Sequence, residues 1–262
     1  MDMSRFLSSL LAGFLKLVLS LLGERRGLKV LARLYAALDP KGKARVRSKV
    51  FTLAVPDGTA HYWVTSGPNS EPGTLDWVDG FGPEDVFYDI GANVGLYTLY
   101  AASKGAHVLA FEPNPFTYAV LVRNLHLNGL ASSVMPLLVA LDAASHHAAL
   151  SLSGIQAGSV HNGLGRGDGL VLDVLAQSLD DMVERFHLRP PSHIKLDVDG
   201  IEEQILQGAE VTLANPGLKS ILVEDCPQDP DRQARIAAMI EAAGLRLCPM
   251  ESRDGNRLFR RG

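Results

Sequence analysis

Cysteine is nearly absent from these 262 residues: Cys226 and Cys248 stand alone, without C-x-x-C spacing and without a histidine pair beside them. Such scarcity fits a reducing compartment, here the cytoplasm, and argues against a thiol-built zinc site. Both thiols read as strand-edge filler. Internal repeats and low-complexity tracts are missing too. With 47% hydrophobic and 21% charged residues, general disorder is excluded, and the length suffices for one α/β domain with a full core plus an appendage.

The net charge of −4 conceals an asymmetry. Residues 1–49 carry eleven Lys and Arg against three acids, a net +8, which leaves −12 on the other 213 residues. An acidic body with a basic arm meets an anionic surface with one end only. Within the arm, Leu7, Leu10, Leu11, Phe14, Leu15, Val18, Leu21 and Leu22 recur at helical spacing, and Ser8, Ser9, Lys16 and Ser20 interrupt them. The segment Ser4 to Leu22 therefore predicts an amphipathic helix. Lys16 at its middle, its short length and the absence of an A-x-A-like site favour an interfacial or docking helix over a membrane span or a signal peptide. Three occupants fit its apolar face: lipid, its own domain, or a second copy of the chain in a homo-oligomer. The basic stretch Arg25 to Lys49 favours an anionic membrane surface met through residues 4–49, which would place the protein peripherally at the inner face of a membrane. Nucleic acid is disfavoured, because Tyr35 is the sole aromatic residue among those charges.

A second helical stretch covers Leu28 to Leu38. Phe51 to Val55, the turn Pro56-Asp57-Gly58 and Ala60 to Thr65 read as a β-hairpin, followed by a loop over Ser66 to Gly73. These spans divide the chain into a helical arm, 1–49, and a main domain, 50–262, with the hairpin at 50–66 and the core from residue 71. From Val86 onward strands and helices alternate. Val86–Ile90, His107–Phe111, Val134–Val139, His193–Leu196 and Ser220–Val223 read as strands, and Val94–Ala102, Phe116–Leu127, Leu179–Phe186, Ile201–Ala214 and Asp231–Ala243 as helices. Short β-like pieces fall at Ala148–Leu152, Leu170–Val174, Leu245–Leu247 and Arg257–Phe259. Alternation of this kind makes an α/β fold with a mostly parallel sheet covered on both faces, whose ligands bind at the carboxyl ends of the strands.

The segment Val86 to Gly95, V-F-Y-D-I-G-A-N-V-G, is a strand, a glycine turn and a helix start. Gly91 and Gly95 remove side chains where the backbone turns tightly beside a ligand. Glu112 ends the next strand, 21 residues after Gly91, where a carboxylate accepts ribose hydroxyl protons. A dinucleotide loop needs glycine where Asn93 stands, and the acidic Asp89 ahead of the turn would repel phosphate. S-adenosylmethionine carries no phosphate, and its ammonium and sulfonium suit Asp89. A nicotinamide-dependent oxidoreductase is the alternative enzyme, and a catalytically silent module recruiting partners through its first helix is the alternative without catalysis.

D-I-G-A-N-V-G (Asp89 to Gly95), F-E-P-N-P (Phe111 to Pro115) followed by Asn124 and Asn128, and I-K-L-D-V-D-G-I-E (Ile194 to Glu202) together resemble the FkbM-type branch of class I S-adenosylmethionine-dependent methyltransferases. The resemblance spans Glu71 to Glu224. It implies a Rossmann-like, seven-stranded sheet with an antiparallel last strand, and methyl transfer to a hydroxyl of a sugar, a glycan or a small secondary metabolite. By the same resemblance Asp89, Gly91, Asn93 and Gly95 surround the methionine portion of the cofactor, Glu112 and Asn114 take the ribose, and Ala140, Leu141 and Asp142 border the adenine. Glu71 and Thr74 are similar to an E-P-x-T element placed to lie over the cofactor. The family usually has Glu where this chain has Asp199, a shorter carboxylate.

Sheet geometry places Lys195, Asp197, Glu224 and Asp225 at the ligand edge, and His107 and His193 at the opposite edge as polar strand starts. Asp197 is the first candidate for the base or for positioning the acceptor, because class I enzymes bring the methyl group there. Lys195 and Asp199 complete the candidate catalytic set. Carboxylates among Asp197, Asp199, Glu224 and Asp225 form the one grouping suited to a divalent ion, and a metal-free cluster is the favoured reading. Six glycines between Ser151 and Gly169, with Ser159, His161 and Asn162, mark an acceptor loop or lid, with His161 as a second candidate base. The strand end Asp197-Val198-Asp199-Gly200 lacks the N/D-P-P-Y/F pattern of amino-methylating enzymes, which favours oxygen.

Overall fold

The computed structural model describes residues 3–159, 163–165, 167, 169–224, 229–250 and 255–262. Two compact units divide it, residues 1–40 and 41–262.

The first unit is a helix pair, α1 (Met3–Leu21) and α2 (Glu24–Leu38). Gly23, at a φ of 73°, breaks the run between them, and Gly27 lets α2 approach the backbone of Leu19, whose carbonyl oxygen would lie 2.8 Å from any added Cβ.

The second unit opens with β1 (Lys41–Val46) and β2 (Lys49–Ala54), an antiparallel pair turning at Arg47 and Ser48. Next come α3 (Gly58–Thr65), a 3₁₀ turn at Gly67–Asn69, α4 (Pro72–Val78), β3 (Val86–Ile90), α5 (Leu96–Ser103), β4 (His107–Phe111), α6 (Pro115–Leu127) and β5 (Val134–Leu137). β6 (Ala140–Leu141), β7 (His146–Leu152), β8 (Gly163–Leu164) and β9 (Leu170–Gln177) lead to α7 (Leu179–Arg185) and β10 (His193–Leu196). The chain ends with α8 (Glu202–Gln207), α9 (Glu210–Ala214), β11 (Ser220–Val223), α10 (Pro230–Ala242), β12 (Leu245–Cys248) and β13 (Arg257–Arg261).

Seven strands build the main sheet in the order β12-β13-β11-β10-β3-β4-β5, with β13 inserted antiparallel between β11 and β12. This is the expected α/β sheet, seven-stranded and mostly parallel with an antiparallel last strand. β3 is buried along its whole length, as a central parallel strand covered on both faces must be. Phe87 faces one core with Trp77, Leu99, Leu121 and Phe51; Val86, Tyr88 and Ile90 face the other with Leu179, Ile205, Ile236 and Phe259. The chain runs outward from β3 through β4 to β5 and then returns to β10, so a crevice opens where β3 and β10 diverge.

Four sequence expectations change here. The hairpin lies at 41–54 rather than 50–66, so the basic residues Lys41 to Lys49 belong to the second unit rather than to the arm. Ala60 to Thr65 is helical: Asp57 accepts hydrogen bonds from the backbone of Thr59 and Ala60 at 2.9 and 3.0 Å and starts α3 despite the strand-like H-Y-W-V composition. The loop ahead of the core contains the start of α4, with Pro72 in its first turn. The helix over Ile201 to Ala214 divides at Gly208, where a Cβ would lie 2.3 Å from the Asp142 carbonyl oxygen, and Gly208 itself accepts a hydrogen bond from Asp180 N–H. The glycine-rich stretch contributes the end of β7 and β8 to a second sheet, ordered β6-β9-β7-β8. His161, Asn162, Asp225 and Cys226 lie outside the described residues.

Candidate active site

A cavity of about 680 Å³ occupies the crevice at the carboxyl ends of β3, β4, β10 and β11, within the range of cofactor and small-molecule sites. Its wall at β3 is the glycine turn. Gly91 and Ala92 both donate to the Phe111 carbonyl at 3.0 Å, which docks the turn on the end of β4. Gly91 stands at a φ of 82°, and a Cβ there would fall 1.8 Å from the Asp197 carbonyl oxygen. Only glycine fits. Asn93 adopts a left-handed φ of 51°, which asparagine tolerates, and its N–H donates to Glu112 at 2.9 Å. Gly95 does not line the cavity; its φ of 88° starts α5, and a Cβ would strike Leu121 at 2.3 Å.

Glu112 accepts the Asn93 N–H with one oxygen and the Asn114 N–H, also at 2.9 Å, with the other. Each oxygen keeps a lone pair for a further donor. Burial pushes this carboxyl up to about 7, against the two N–H bonds, with the negative charges of Asp89 and Asp199 adding to the rise. Asn114 itself is buried outside the cavity wall: its side chain caps α6 by accepting from Phe116 and Thr117, and its backbone holds Glu112. Ala140 and Leu141 line the adjoining wall with Phe111, Ile201 and Ile205, an apolar slot; Asp142 does not reach it.

At the other end of the cavity lies a charged cluster, with Lys195 buried, Asp197 half-buried and Glu224 exposed. Lys195, in the middle of β10, is ion-paired with Asp197, its ammonium 4.9 Å from the centre of the Tyr97 ring. Burial works to lower the lysine, but Asp197, Glu71 and Asp89 outweigh it and hold the ammonium charged. Burial likewise works to raise Asp197, and Lys195 with the Glu224 hydrogen bond outweighs it, keeping the carboxyl below its ordinary range. Glu224, at the end of β11, is pushed up to about 9, first by its hydrogen bond to Asp197 and then by loss of hydration. The pair thus shares one proton at neutral pH. Asp199 lines the same opening. Among the described residues, no three His, Cys, Asp or Glu side chains are grouped as metal ligands.

Asp89 lies beside Lys195 in the sheet register and is fully buried. Thr98 donates to one of its oxygens at 2.5 Å; the other has no partner among the described residues. Asp89 does not itself line the cavity; its unpartnered oxygen is buried acceptor capacity next to Lys195, a feature that suits a cation. Burial raises the Asp89 carboxyl, with Lys195 and Thr98 opposing.

Glu71 lines the cavity, while Thr74 supports it from behind: Thr74 donates to Glu71 at 2.9 Å, and Asn256 donates to both at 3.1 Å. Sequence reasoning gave Asn256 no role, because only the insertion of β13 beside β11 brings it to α4. It also missed Thr59, Tyr62 and Trp63, which α3 presents at the mouth. Trp63 donates to the Gly158 carbonyl at 3.2 Å, and Asp57 accepts the Ala157 N–H at 2.9 Å, so α3 is tied to the turn after β7. Ser159 lines the cavity here, in the glycine-rich stretch expected to form a lid. His107 and His193 start their strands at the far edge, as expected.

Sheet order and the glycine turn together define the Rossmann-like class I methyltransferase fold. Comparison with known proteins agrees: residues 89–247 match the model of the methyltransferase FkbM domain. The chain belongs to the FkbM methyltransferase family. The nicotinamide reading is set aside. Hexuronic acid methyltransferase AglP of Haloferax volcanii is 31% identical over 141 residues, which cover 54% of this chain and 56% of that protein. Methyltransferase sdnD of Sordaria araneosa is 53% identical over 51 residues, 19% of this chain and 20% of that one. The chain thus spans about half the length of the first relative and a fifth of the second. The crystal structure of methyltransferase FkbM from Methylobacillus flagellatus superposes with a TM-score of 0.50 at 16% identity, covering 69% of this chain and 44% of that one, a likeness of fold.

Proposed function

We propose that the protein is an S-adenosylmethionine-dependent O-methyltransferase acting on a hydroxyl of a sugar, a glycan or a small metabolite. The observation that carries this reading is the cluster of buried Lys195 with Asp197 and Glu224 at the methionine end of a cavity already suited to the cofactor.

The residues fit the cofactor. Glu112 keeps acceptor capacity for ribose hydroxyls, the slot at Ala140 and Leu141 is apolar enough for adenine, and the unpaired Asp89 oxygen suits an ammonium. When bound, S-adenosylmethionine supplies an electrophilic methyl group on a sulfonium. The chain must then hold an acceptor oxygen and take its proton. Asp197 is ionised, held by Lys195 and close to Glu224, so it accepts the hydroxyl proton while Lys195 keeps the carboxylate oriented. Glu224 remains protonated below about pH 9 and hydrogen-bonds to Asp197.

The charge of the opening supports a neutral acceptor group. Glu71, Glu112, Asp197 and Asp199, with the protonated Glu224, line it against the single cation Lys195 among the described residues. A hydroxyl enters such a field at lower electrostatic cost than a free carboxylate. AglP, named for hexuronic acid, supports a sugar as the first acceptor to try, and Tyr62 and Trp63 at the mouth offer aromatic faces to a sugar ring.

Asp197→Asn tests the assignment. Methyl transfer to a panel of sugar and uronic acid acceptors should fall by about 100-fold or more, while S-adenosylhomocysteine affinity, measured by calorimetry, changes little. Full activity in the variant would remove Asp197 from the chemistry, and no binding of S-adenosylhomocysteine by the wild-type chain would remove the cofactor.

A further inference from the structure

The helix pair of the first unit has a surface unlike that of a finished soluble domain. In α1, Leu15 and Leu19 alone are partly shielded among the described residues. Phe6, Leu7, Leu10, Leu11, Phe14, Leu17 and Leu21 are all exposed, Leu11 and Phe14 at 66% and Leu21 at 81%. Pairing with α2 therefore leaves the apolar surface of α1 uncovered, and contiguous surface of that kind marks an interaction site.

α2 adds a second feature. Leu28, Leu31, Tyr35 and Leu38 recur at spacings of three and four and are exposed, which makes an apolar stripe. Arg25, Arg26, Lys29 and Arg33 recur at the same spacings on a different side, also exposed. Glu24 is the one acid in the helix. Apolar side chains flanked by a dense run of one positive sign are complementary to the headgroup region of an anionic bilayer, where cations meet phosphates and the apolar side chains enter the acyl boundary. A protein partner or a second copy would account for the apolar stripe but leaves the four cations of α2, Arg25, Arg26, Lys29 and Arg33, without counter-charge. No helix of the described residues is long and apolar enough to cross a membrane.

We propose that residues 3–38 form a monotopic anchor that lies in the surface of an anionic membrane, with the apolar circumference of α1 inserted and the cations of α2 at the phosphates. This goes beyond the catalytic reading and does not depend on it.

Flotation of the full-length chain with vesicles of phosphatidylcholine alone, or with about one-third phosphatidylglycerol, tests the proposal. Binding should be at least about tenfold stronger on the anionic vesicles and should weaken in 0.5 M salt. Leu10→Glu with Phe14→Glu should abolish flotation. A second variant, with Arg25, Arg26, Lys29 and Arg33 changed to Gln, should reduce it about tenfold or more. Both variants should keep wild-type S-adenosylhomocysteine binding, which shows that the second unit is folded. Equal flotation on neutral and anionic vesicles, or flotation unchanged by Leu10→Glu with Phe14→Glu, overturns the proposal. It is also overturned if the wild-type chain does not float and is an oligomer by light scattering that Phe14→Glu converts to monomer; the occupant is then a second copy.

Discussion

At the residue scale, Glu112 sets a pH dependence that can be measured. Its carboxyl is pushed up to about 7 by burial. Hydroxyl donors from a ribose favour the ionised form, so ligand binding must be accompanied by loss of the proton whenever Glu112 carries one. Affinity for S-adenosylhomocysteine should therefore be constant well above pH 7 and fall as pH drops, approaching about tenfold per unit below it. Glu112→Gln should bind weakly and lose this slope, because no proton is left to release. Calorimetry between pH 8 and 5.5 decides the matter, and a slope retained in Glu112→Gln would assign it to another group. Gly91 offers a second test at this scale. With a φ of 82° and the Asp197 carbonyl in the place of a Cβ, Gly91→Ala must displace β3 from the end of β10. It should lower stability by about 2–4 kcal/mol in urea unfolding and weaken cofactor binding together.

At the element scale, two asparagines of the family motif have a structural task. Asn124 accepts the Ala54 N–H at 2.8 Å and donates to the Val94 carbonyl at 2.9 Å; Asn128 brackets Thr52 in the same way, accepting from its N–H and donating to its carbonyl at 2.8 Å. α6 thereby satisfies the outer edge of β2 and fixes the turn that follows Asn93. Asn124→Ala leaves two buried backbone groups unpaired, and we expect a loss of about 2–4 kcal/mol in urea unfolding. A loss below about 0.5 kcal/mol would show that water replaces the side chain. The acidic residues of α8 are also explained by packing. Glu202 pairs with Arg232, and Glu203 with Arg235 at 2.9 Å, which holds α10 against α8. Their position in the first turn was readable in the sequence; their partners, thirty residues away, were not.

At the scale of the whole molecule, the sheet separates a functional edge from a structural one. His193 begins β10 at the edge away from the cavity, stacked on Phe81 with ring centres 4.1 Å apart. Trp77 donates to the Ser220 hydroxyl at 2.8 Å, so that hydroxyl donates to His193 Nδ1 at 2.7 Å, and the remaining N–H faces Asp85 at 3.3 Å. Lys219 pairs with the same carboxylate at 2.7 Å, and Arg260 adds positive charge. Burial lowers His193 to about 4, outweighing the attraction of Asp85. The unfolded chain takes up this proton near 6.5 and the folded one only near 4, so the stability due to neutral His193 is complete above 6.5 and is lost as pH falls towards 4. The loss is on the order of 3 kcal/mol. Urea midpoints at pH 7 and 4.5 should differ accordingly, and His193→Gln should flatten the difference. An equal slope in that variant would place the acid sensitivity elsewhere.

The sequence by itself determined whatever is local. Asp89, Gly91, Asn93 and Glu112 were legible because a strand, a tight turn and a helix start impose residue types at fixed spacing, and the family resemblance added the end of β10. Strands buried on both faces were legible as continuous apolar runs. The hairpin was misplaced because H-Y-W-V has strand composition while the cap at Asp57, which decides for helix, gains part of its hold from Ala157, a hundred residues on. Tertiary structure alone decided which side chains share the cavity. The proton shared by Asp197 and Glu224 exists because β10 and β11 are neighbours, Glu71 is held by Asn256 because β13 inserts beside β11, and Trp63 reaches the mouth because α3 is tied to the turn after β7. Each of these depends on strand order and on loss of hydration, and neither is encoded in the spacing of residues along the chain.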